Sequence, residues 1–362
     1  MIHGANQRSV GMDKLRVGIV GSKFAATLHA ECYRRNDKVQ MVAAAALDDV
    51  EEFAARFGIR HTYADYRQML SRDDIDAVSV CLPNFLHRDV TLAAARAKKH
   101  VICEKAMATT IAEAAEMLSA CASEGVQLFY AEDWVFAPSL ARMEQILAEG
   151  ALGEILFVKA KETHNGTHSP FAKKKSTCGG GALIHLAVHP IGYVLHLLNV
   201  RENPVTEVTG VVSGGFQHNL VHKDFEVEDW SVGLLTFADG KRALVEGNYI
   251  TVGGMDDRVE VYGSEGRILV NLTLGSNIEA YCRRGYGYAV EKADFTHGWT
   301  RPAVDEFHSL GYVSEINYFV DCILNGRQPK FGVSGAAGLA CMRVVDALYR
   351  SAAERRTVEV EC

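Results

Sequence analysis

The stretch VGIVGSKFAATLH, residues 17–29, decides the fold, because a strand-like apolar run ends at Gly21 and a helical pattern begins directly after it. The usual dinucleotide-binding turn, G-x-G-x-x-G/A, needs its first glycine for the tight turn and a small third residue where the helix packs on the strand. Gly21 and Ala26 fill these two positions, and Lys23 replaces the second glycine. We expect the helix N-terminus to bind a dinucleotide, with Lys23 pointing outward toward a phosphate.

Apolar runs alternate with helical patterns between residues 15 and 130, which predicts an α/β domain: a doubly wound parallel sheet with helices on both faces. The runs are LRVGIV, VQMVAAAA, DAVSVCL, HVICEK and VQLFYA. One helical pattern, DDVEEFAARFG, ends at Gly58, which is typical of a glycine C-cap. Ligands of such domains lie beyond the carboxyl ends of the strands, so the residues after each run are candidate site residues.

The second run lacks the acidic residue that normally accepts a hydrogen bond from the ribose 2′-hydroxyl. Ala46 occupies that position in our alignment, and the first carboxylates, Asp48 and Asp49, come after it. Loss of the carboxylate removes a repulsion against a 2′-phosphate. The sequence therefore leaves both NAD and NADP open as the cofactor, with NAD favoured.

Composition points to a globular protein with a small-molecule partner. At 362 residues the chain is longer than one domain core supports, and its 48% hydrophobic and 23% charged residues are globular values. The formal charge of −7, with no basic cluster beyond Lys173–Lys175, argues against nucleic-acid and membrane partners. The nine cysteines show no CxxC spacing, and no apolar run is long enough to span a bilayer. We expect a cytoplasmic protein.

The pattern changes after residue 133, where a second domain is predicted. A strand-like run ILFVKAKETH is followed, from Glu207 onward, by at least six more: VTEVTGVVSGG, WSVGLLTF, RALVEGNYI, RVEVYGS, GRILVNL and IEAYC. Their alternation and glycine turns predict an α+β domain with a large, mainly antiparallel sheet covered on one face by helices. We place the two domains at residues 13–133 and 134–362.

The segment GGGALIHLAVHP, residues 179–190, carries the densest chemistry. Its three glycines begin a predicted helix where we expect the backbone to approach a ligand. His185 and His189 are one helical turn apart and are predicted to share a face. An imidazole suits removal of a hydroxyl proton near neutral pH. A metal site remains open, in which these two histidines are joined by Glu162 or His164 from the preceding strand.

Two further motifs follow later strands, and together with the first turn they resemble the Gfo/Idh/MocA oxidoreductase family. They are Leu82-Pro83-Asn84-Phe85-Leu86-His87 and Glu104-Lys105-Ala106, which join Gly18, Gly21, Ala26 and His29 upstream and GALGEI at 150–155 downstream. The similarity extends over nearly the whole chain from Leu15 onward. It implies hydride transfer between NAD(P) and a secondary alcohol of a sugar, polyol or glycoside.

The resemblance also implies roles for individual residues. Lys105 would reach the reacting hydroxyl, where a cation stabilises a developing alkoxide. His189 matches the family's acid/base, and His185 replaces the usual aspartate and would modulate or share that role. Ala106 stands where the family has proline. The implied cofactor-binding residues are Gly21, Ser22, Lys23, Phe24, Ala25, Leu82, Pro83, Asn84, His87, Glu104 and Lys105.

The remaining implications concern substrate, assembly and alternatives. Asp133, Glu162 and His164 are candidate substrate-binding residues, and the open sheet face would pair subunits into a homodimer or homotetramer. One alternative is an NAD-dependent enzyme that cleaves glycosides by transient oxidation and elimination. Another is a non-catalytic dinucleotide-binding sensor, which the departures from the family pattern would fit.

Overall fold

A computed structural model of the protein describes residues 14–273, 275 and 277–361. The predicted domain start at residue 13 lies just outside the described residues. The fold contains two large sheets, each with its own strand order. Eight of the nine cysteines fall in the described part of the chain, and all eight are unpaired.

The first sheet has six parallel strands in the order β3-β2-β1-β4-β5-β6, as the alternating pattern predicted. Its strands are β1 (Leu15–Val20), β2 (Val39–Ala45), β3 (His61–Tyr63), β4 (Ala77–Val80), β5 (His100–Cys103) and β6 (Leu128–Tyr130). The connecting helices are α1 (Phe24–Arg34), α2 (Val50–Phe57), α3 (Tyr66–Leu70), α4 (Asn84–Arg96) and α5 (Ile111–Glu124). Gly58 caps α2 in the left-handed conformation, with φ of 69°.

The second sheet has seven strands in the order β12-β11-β7-β10-β9-β8-β15. They are β7 (Ile155–Thr163), β8 (Val205–Val212), β9 (Trp230–Phe237), β10 (Arg242–Asn248), β11 (Arg258–Gly263), β12 (Arg267–Asn271) and β15 (Val358–Glu359). Every neighbouring pair is antiparallel except β7 with β10. This confirms the predicted α+β class. The predicted strand IEAYC is the exception, because β13 (Ala280–Cys282) leaves the sheet and pairs with β14 (Gly298–Thr300).

Helices of the second half cover one face of this sheet and also reach the first. They are α6 (Pro138–Ala148), α7 (Lys175–Cys178), α8 (Ala182–His185), α9 (Val188–Leu197), α10 (Glu306–Ser309), α11 (Tyr312–Leu324) and α12 (Gly335–Glu354). α9 packs on β7 and β10, whereas α12 lies between β8 and α5. One hydrophobic cluster therefore contains residues from both sheets.

Within the described ranges, no single helix is long and apolar enough to cross a membrane. One bent helix pair passes by length and composition, Lys175–His185 with Val188–Leu197, but the second helix of that pair is almost entirely buried in the protein.

Candidate active site

The predicted dinucleotide turn lies between β1 and α1. Gly21 has φ of 123°, and a Cβ at this position would lie 2.2 Å from the carbonyl oxygen of Cys81, so only glycine fits. No side chain caps the N-terminus of α1, which leaves its N–H groups available to an anion. Lys23 points outward, as predicted, but its ammonium forms an ion pair with Asp49. Ser22 donates a hydrogen bond to the carbonyl oxygen of Asp48.

In the motif that follows β4, residues 82–87, two side chains form hydrogen bonds with backbone carbonyl groups of the protein. Asn84 is buried and its amide donates to the carbonyl oxygen of Cys178 at 2.9 Å, which connects α4 to the glycine segment of the second half. The buried ring of His87 lies 2.7 Å from the carbonyl oxygen of Leu82 and 2.9 Å from that of Ala106. Both side chains therefore fix loop positions beside the strand ends.

Glu104 and Lys105 follow β5, and Glu104 is held by a buried hydrogen-bond chain. Nε2 of His29 lies 2.9 Å from Oε1 of Glu104, and Nδ1 of His29 lies 2.9 Å from the hydroxyl of Ser79. The backbone N–H of Lys105 donates to Oε2 of the same carboxylate. Burial opposes ionisation, but His29 and Lys105 keep the pKa of Glu104 below its usual value. Glu104 is therefore a fixed negative charge directly before Lys105.

Lys105 is half-buried among carboxylates. Its ammonium donates to the carbonyl oxygen of His185 at 3.3 Å, and the Lys105–Ala106 peptide bond is cis. Burial lowers its pKa, but Glu162, Glu104 and other nearby carboxylates raise it more, so the net pKa lies above the usual value. The side chain therefore stays an ammonium at neutral pH.

Two glycines of the segment 179–181, Gly180 and Gly181, pack so closely against other protein atoms that no side chain fits there. A Cβ on Gly180 would lie 1.9 Å from the hydroxyl of Tyr349, and one on Gly181 would lie 2.1 Å from the carbonyl oxygen of Glu228. The Glu228 carboxylate accepts the N–H groups of Gly181 and Leu183 at 3.0 Å. The glycines therefore seat α8 against the second sheet.

The prediction that His185 and His189 share a face of one helix is wrong. α8 ends at His185, α9 begins at Val188, and the two segments bend by 52°. Pro190 explains the break, because it has no N–H for the carbonyl of Leu186 and its ring collides with that carbonyl in a continuous helix. The two imidazoles therefore face different partners.

His189 is buried between carboxylates from two elements. Its Nδ1 lies 2.9 Å from Oε1 of Glu132 and 3.2 Å from Oδ1 of Asp133, while its Nε2 lies 3.7 Å from Oε2 of Glu162. The ring stacks on Trp134 with a centroid distance of 5.9 Å and an interplanar angle of 10°. Burial holds the pKa of His189 well below its usual value, and burial and Asp133 raise that of Glu132.

The ring of His185 contacts a different partner. Its Nδ1 lies 2.6 Å from the hydroxyl of the buried Tyr249, and burial keeps its pKa well below the usual value. It therefore stays neutral, and its backbone carbonyl holds Lys105.

Glu162 of β7 and His164, the residue directly after the strand, are both buried and each has an unused polar atom. Glu162 and His164 are 5% and 2% exposed, and among the described residues Oε2 of Glu162 and Nδ1 of His164 have no hydrogen-bond partner. Burial raises the pKa of Glu162 to about 7 and lowers that of His164 to about 3. Both groups are available to a ligand.

The structure gathers a different possible metal set from the predicted one. Ligand atoms of Glu132, Asp133 and His189 lie within 4.8 Å of one another. His185 is not in this group, since its Nδ1 faces Tyr249. Any metal at the site would therefore use the two carboxylates that follow β6.

Two residues of the site escaped the sequence analysis. Glu132 follows β6, so the rule that ligand-binding residues follow the strands covers it. Lys292 belongs to a loop without any pattern, yet its ammonium lies 5.6 Å from the ring centroid of Phe24 and its charge acts on Glu162. Lys292 thus joins the dinucleotide turn to the buried carboxylates.

A dinucleotide turn beside groups able to move a proton defines an oxidoreductase that uses a nicotinamide cofactor. Residues 15–132 match the model of the oxidoreductase family with an NAD-binding Rossmann fold, and residues 140–269 match the GFO/IDH/MocA C-terminal domain. The chain belongs to the GFO/IDH/MocA family, as the motifs predicted.

Similar proteins cover almost the whole chain. Levoglucosan dehydrogenase of Pseudarthrobacter phenanthrenivorans is 26% identical over 96% of this chain and 99% of its own. Myo-inositol 2-dehydrogenase of Thermotoga maritima is 23% identical with the same coverage of both chains. The solved structure of GenD2 from gentamicin A biosynthesis, in complex with NAD, has a TM-score of 0.89 at 28% identity and covers 99% of this chain and 100% of its own.

Proposed function

We propose that the protein transfers hydride between NAD and a secondary alcohol of a sugar or polyol. The observation that carries this proposal is that Lys105, His189 and Glu162 lie close together beside the dinucleotide turn. Among the described residues, Oε2 of Glu162 has no hydrogen-bond partner. Relatives named as levoglucosan and inositol dehydrogenases support it and favour net oxidation over the glycoside-cleaving and sensor alternatives.

The turn residues Gly21, Ser22, Lys23, Phe24 and Ala25 would hold the cofactor through the open N-terminus of α1, with Leu82 and Pro83 beside them. Asp49, which pairs with Lys23 of the turn, is a carboxylate that could accept a hydrogen bond from a ribose hydroxyl, which favours NAD over NADP. NAD, when bound, supplies the hydride acceptor.

The chain's own groups would handle the hydroxyl proton. Nε2 of His189 accepts it, and Nδ1 passes its own proton to Glu132, because burial raises the pKa of that carboxyl and lowers the pKa of the imidazole. The ammonium of Lys105 stabilises the alkoxide. His185 positions Lys105 through its carbonyl.

Substrate hydroxyl groups would be bound by Asp133, Glu162 and His164, which lie around this proton path. We further propose a division of the chain near residue 133, a cytoplasmic location, and a homodimer or homotetramer paired through the uncovered face of the second sheet. The unpaired cysteines support the location.

The test follows NADH formation with a panel of sugars and inositols, comparing wild type with Lys105→Ala and with Lys38→Ala, which removes an exposed lysine elsewhere. We expect Lys105→Ala to lower kcat by about 100-fold or more, and Lys38→Ala to match wild type. Equal rates in all three proteins would remove Lys105 from the mechanism. Product formation without net NADH would replace the proposal with the glycoside-cleaving alternative.

A further inference from the structure

The interior around Glu162 holds more carboxyl groups than cationic side chains. The carboxyl groups that act on one another there include Glu104, Glu132, Asp133, Glu162, Asp257 and Glu291. Among the described residues, the cations acting on Glu162 are the ammonium groups of Lys105 and Lys292. Lys105 is shared with three other carboxylates, and Lys292 lies 3.2 Å from Glu291.

The unused atom of this cluster is Oε2 of Glu162. It has no hydrogen-bond partner within the described chain although the residue is only 5% exposed. A buried carboxylate oxygen without a hydrogen-bond donor is costly, so a ligand that donates a hydrogen bond to this oxygen is favoured.

The position of Oε2 restricts where a ligand's cation can lie. It is 3.7 Å from Nε2 of His189, the nitrogen that receives the hydroxyl proton in the proposed function. Hydrogen bonds to both acceptors are about 2.8 Å long, and the oxygen and nitrogen of a staggered vicinal amino alcohol are roughly 3 Å apart. One amino alcohol therefore spans the two acceptors.

We infer that the substrate is an amino sugar or aminocyclitol with a protonated amine on the carbon next to the oxidised carbinol, and that Glu162 binds this amine. The inference rests on the proposed function and narrows its substrate class. A neutral diol also fits the geometry, but it brings no positive charge to this carboxyl-rich interior. An ammonium supplies both the hydrogen bond and the charge.

The test compares matched pairs of compounds with NAD-loaded protein: D-glucosamine with D-glucose, and scyllo-inosamine with scyllo-inositol. N-acetylglucosamine is the control in which the nitrogen carries no charge. We expect kcat/KM to favour the amines by at least about tenfold in wild type, and that preference to vanish in Glu162→Gln. Glu149→Gln, which removes an exposed carboxylate at the end of α6, should retain it.

The outcomes separate the inference from the proposed function. Oxidation of neutral polyols without an amine preference overturns the inference and leaves dehydrogenation intact. If no compound is oxidised, calorimetry on NADH-loaded protein still decides the inference: amines must bind at least about tenfold tighter than their hydroxyl counterparts in wild type only. Activity that disappears with EDTA and returns with Mn²⁺ or Zn²⁺ also overturns it, because the carboxylates then hold a metal.

Discussion

Oε1 of Glu132 lies 2.9 Å from Nδ1 of His189, and both residues are buried. A carboxylate in this position fixes which nitrogen of the imidazole carries a proton and receives that proton when the other nitrogen is charged. In the proposed function the pair would act as one proton-accepting unit, and its second end, Nε2 of His189, faces Glu162.

Glu132→Gln should lower kcat for alcohol oxidation by about 100-fold with little change in KM, because the amide cannot take the Nδ1 proton. Since burial raises the pKa of Glu132, the unprotonated pair forms only as pH rises, so wild-type oxidation should increase with pH and reduction should decrease. Steady-state rates over a pH series measure both effects. An unchanged kcat and pH profile in the variant would separate Glu132 from proton transfer, with Glu149→Gln as the matched control.

Glu162→Gln should change the pH dependence of stability. The folded-state pKa of about 7 exceeds the usual 4.5, so the folded protein binds more protons and loses stability as pH rises from about 4.5 through 7. At pH 8 the variant should exceed wild type by up to about 3 kcal/mol in free energy of unfolding, and near pH 4.5 the difference should be small. Urea unfolding at several pH values tests this, and a difference that does not vary with pH would contradict it.

Tyr249→Phe tests the role of His185. Removal of the hydroxyl leaves the Nδ1 of His185 unpartnered, which should cost about 1–3 kcal/mol of unfolding free energy. Because His185 acts through its carbonyl in the proposed function, kcat should fall less than about tenfold, a small loss compared with direct removal of an acid/base group. The exposed Tyr281→Phe provides a control for loss of a hydroxyl. A collapse of kcat with unchanged stability would instead place the imidazole of His185 in the reaction.

Gly21→Ala should destabilise the protein by about 2 kcal/mol or more and abolish tight NAD binding, since the new Cβ would overlap the backbone of Cys81. Gly58→Ala is the matched control. Gly58 also has positive φ, but no atom lies within 4 Å of its added Cβ, so the loss should be about 1 kcal/mol. Thermal unfolding with and without NAD compares them. Equal losses in the two variants would show that the close approach to Cys81 has no importance.

Strand ends converge at one edge of a parallel sheet, so the rule that ligand-binding residues follow the strands selects positions that this fold brings close together. Four candidate residues lie within three positions of the end of a parallel strand: Gly21, Pro83, Lys105 and Asp133. The family resemblance added His189, which no strand-end rule could select. The fold class of the first domain could be predicted from the sequence because alternating strands and helices are compatible with few topologies.

Two features required three-dimensional information. The residues GALIHLAVHP look continuously helical, but Pro190 acts four residues upstream and breaks the helix at Leu186. Lys292 belongs to an irregular loop, so nothing local predicts that its ammonium lies near Phe24 and acts on Glu162. Long-range charge placement of this kind has no periodic signal.

The packing of helix α12 limits which chimeras of related chains can fold. It lies against α5 and β6, where Gly338 is so close to Tyr130 that an added Cβ would come within 3.0 Å of the ring. Phe319 of α11 also contacts β6, with its ring 4.8 Å from the ring of Phe129. A chimera that joins this amino-terminal half to the carboxyl-terminal half of a relative must therefore take α12 and the α5 and β6 surface that it covers from the same parent. Otherwise the hybrid exposes apolar surface at the seam.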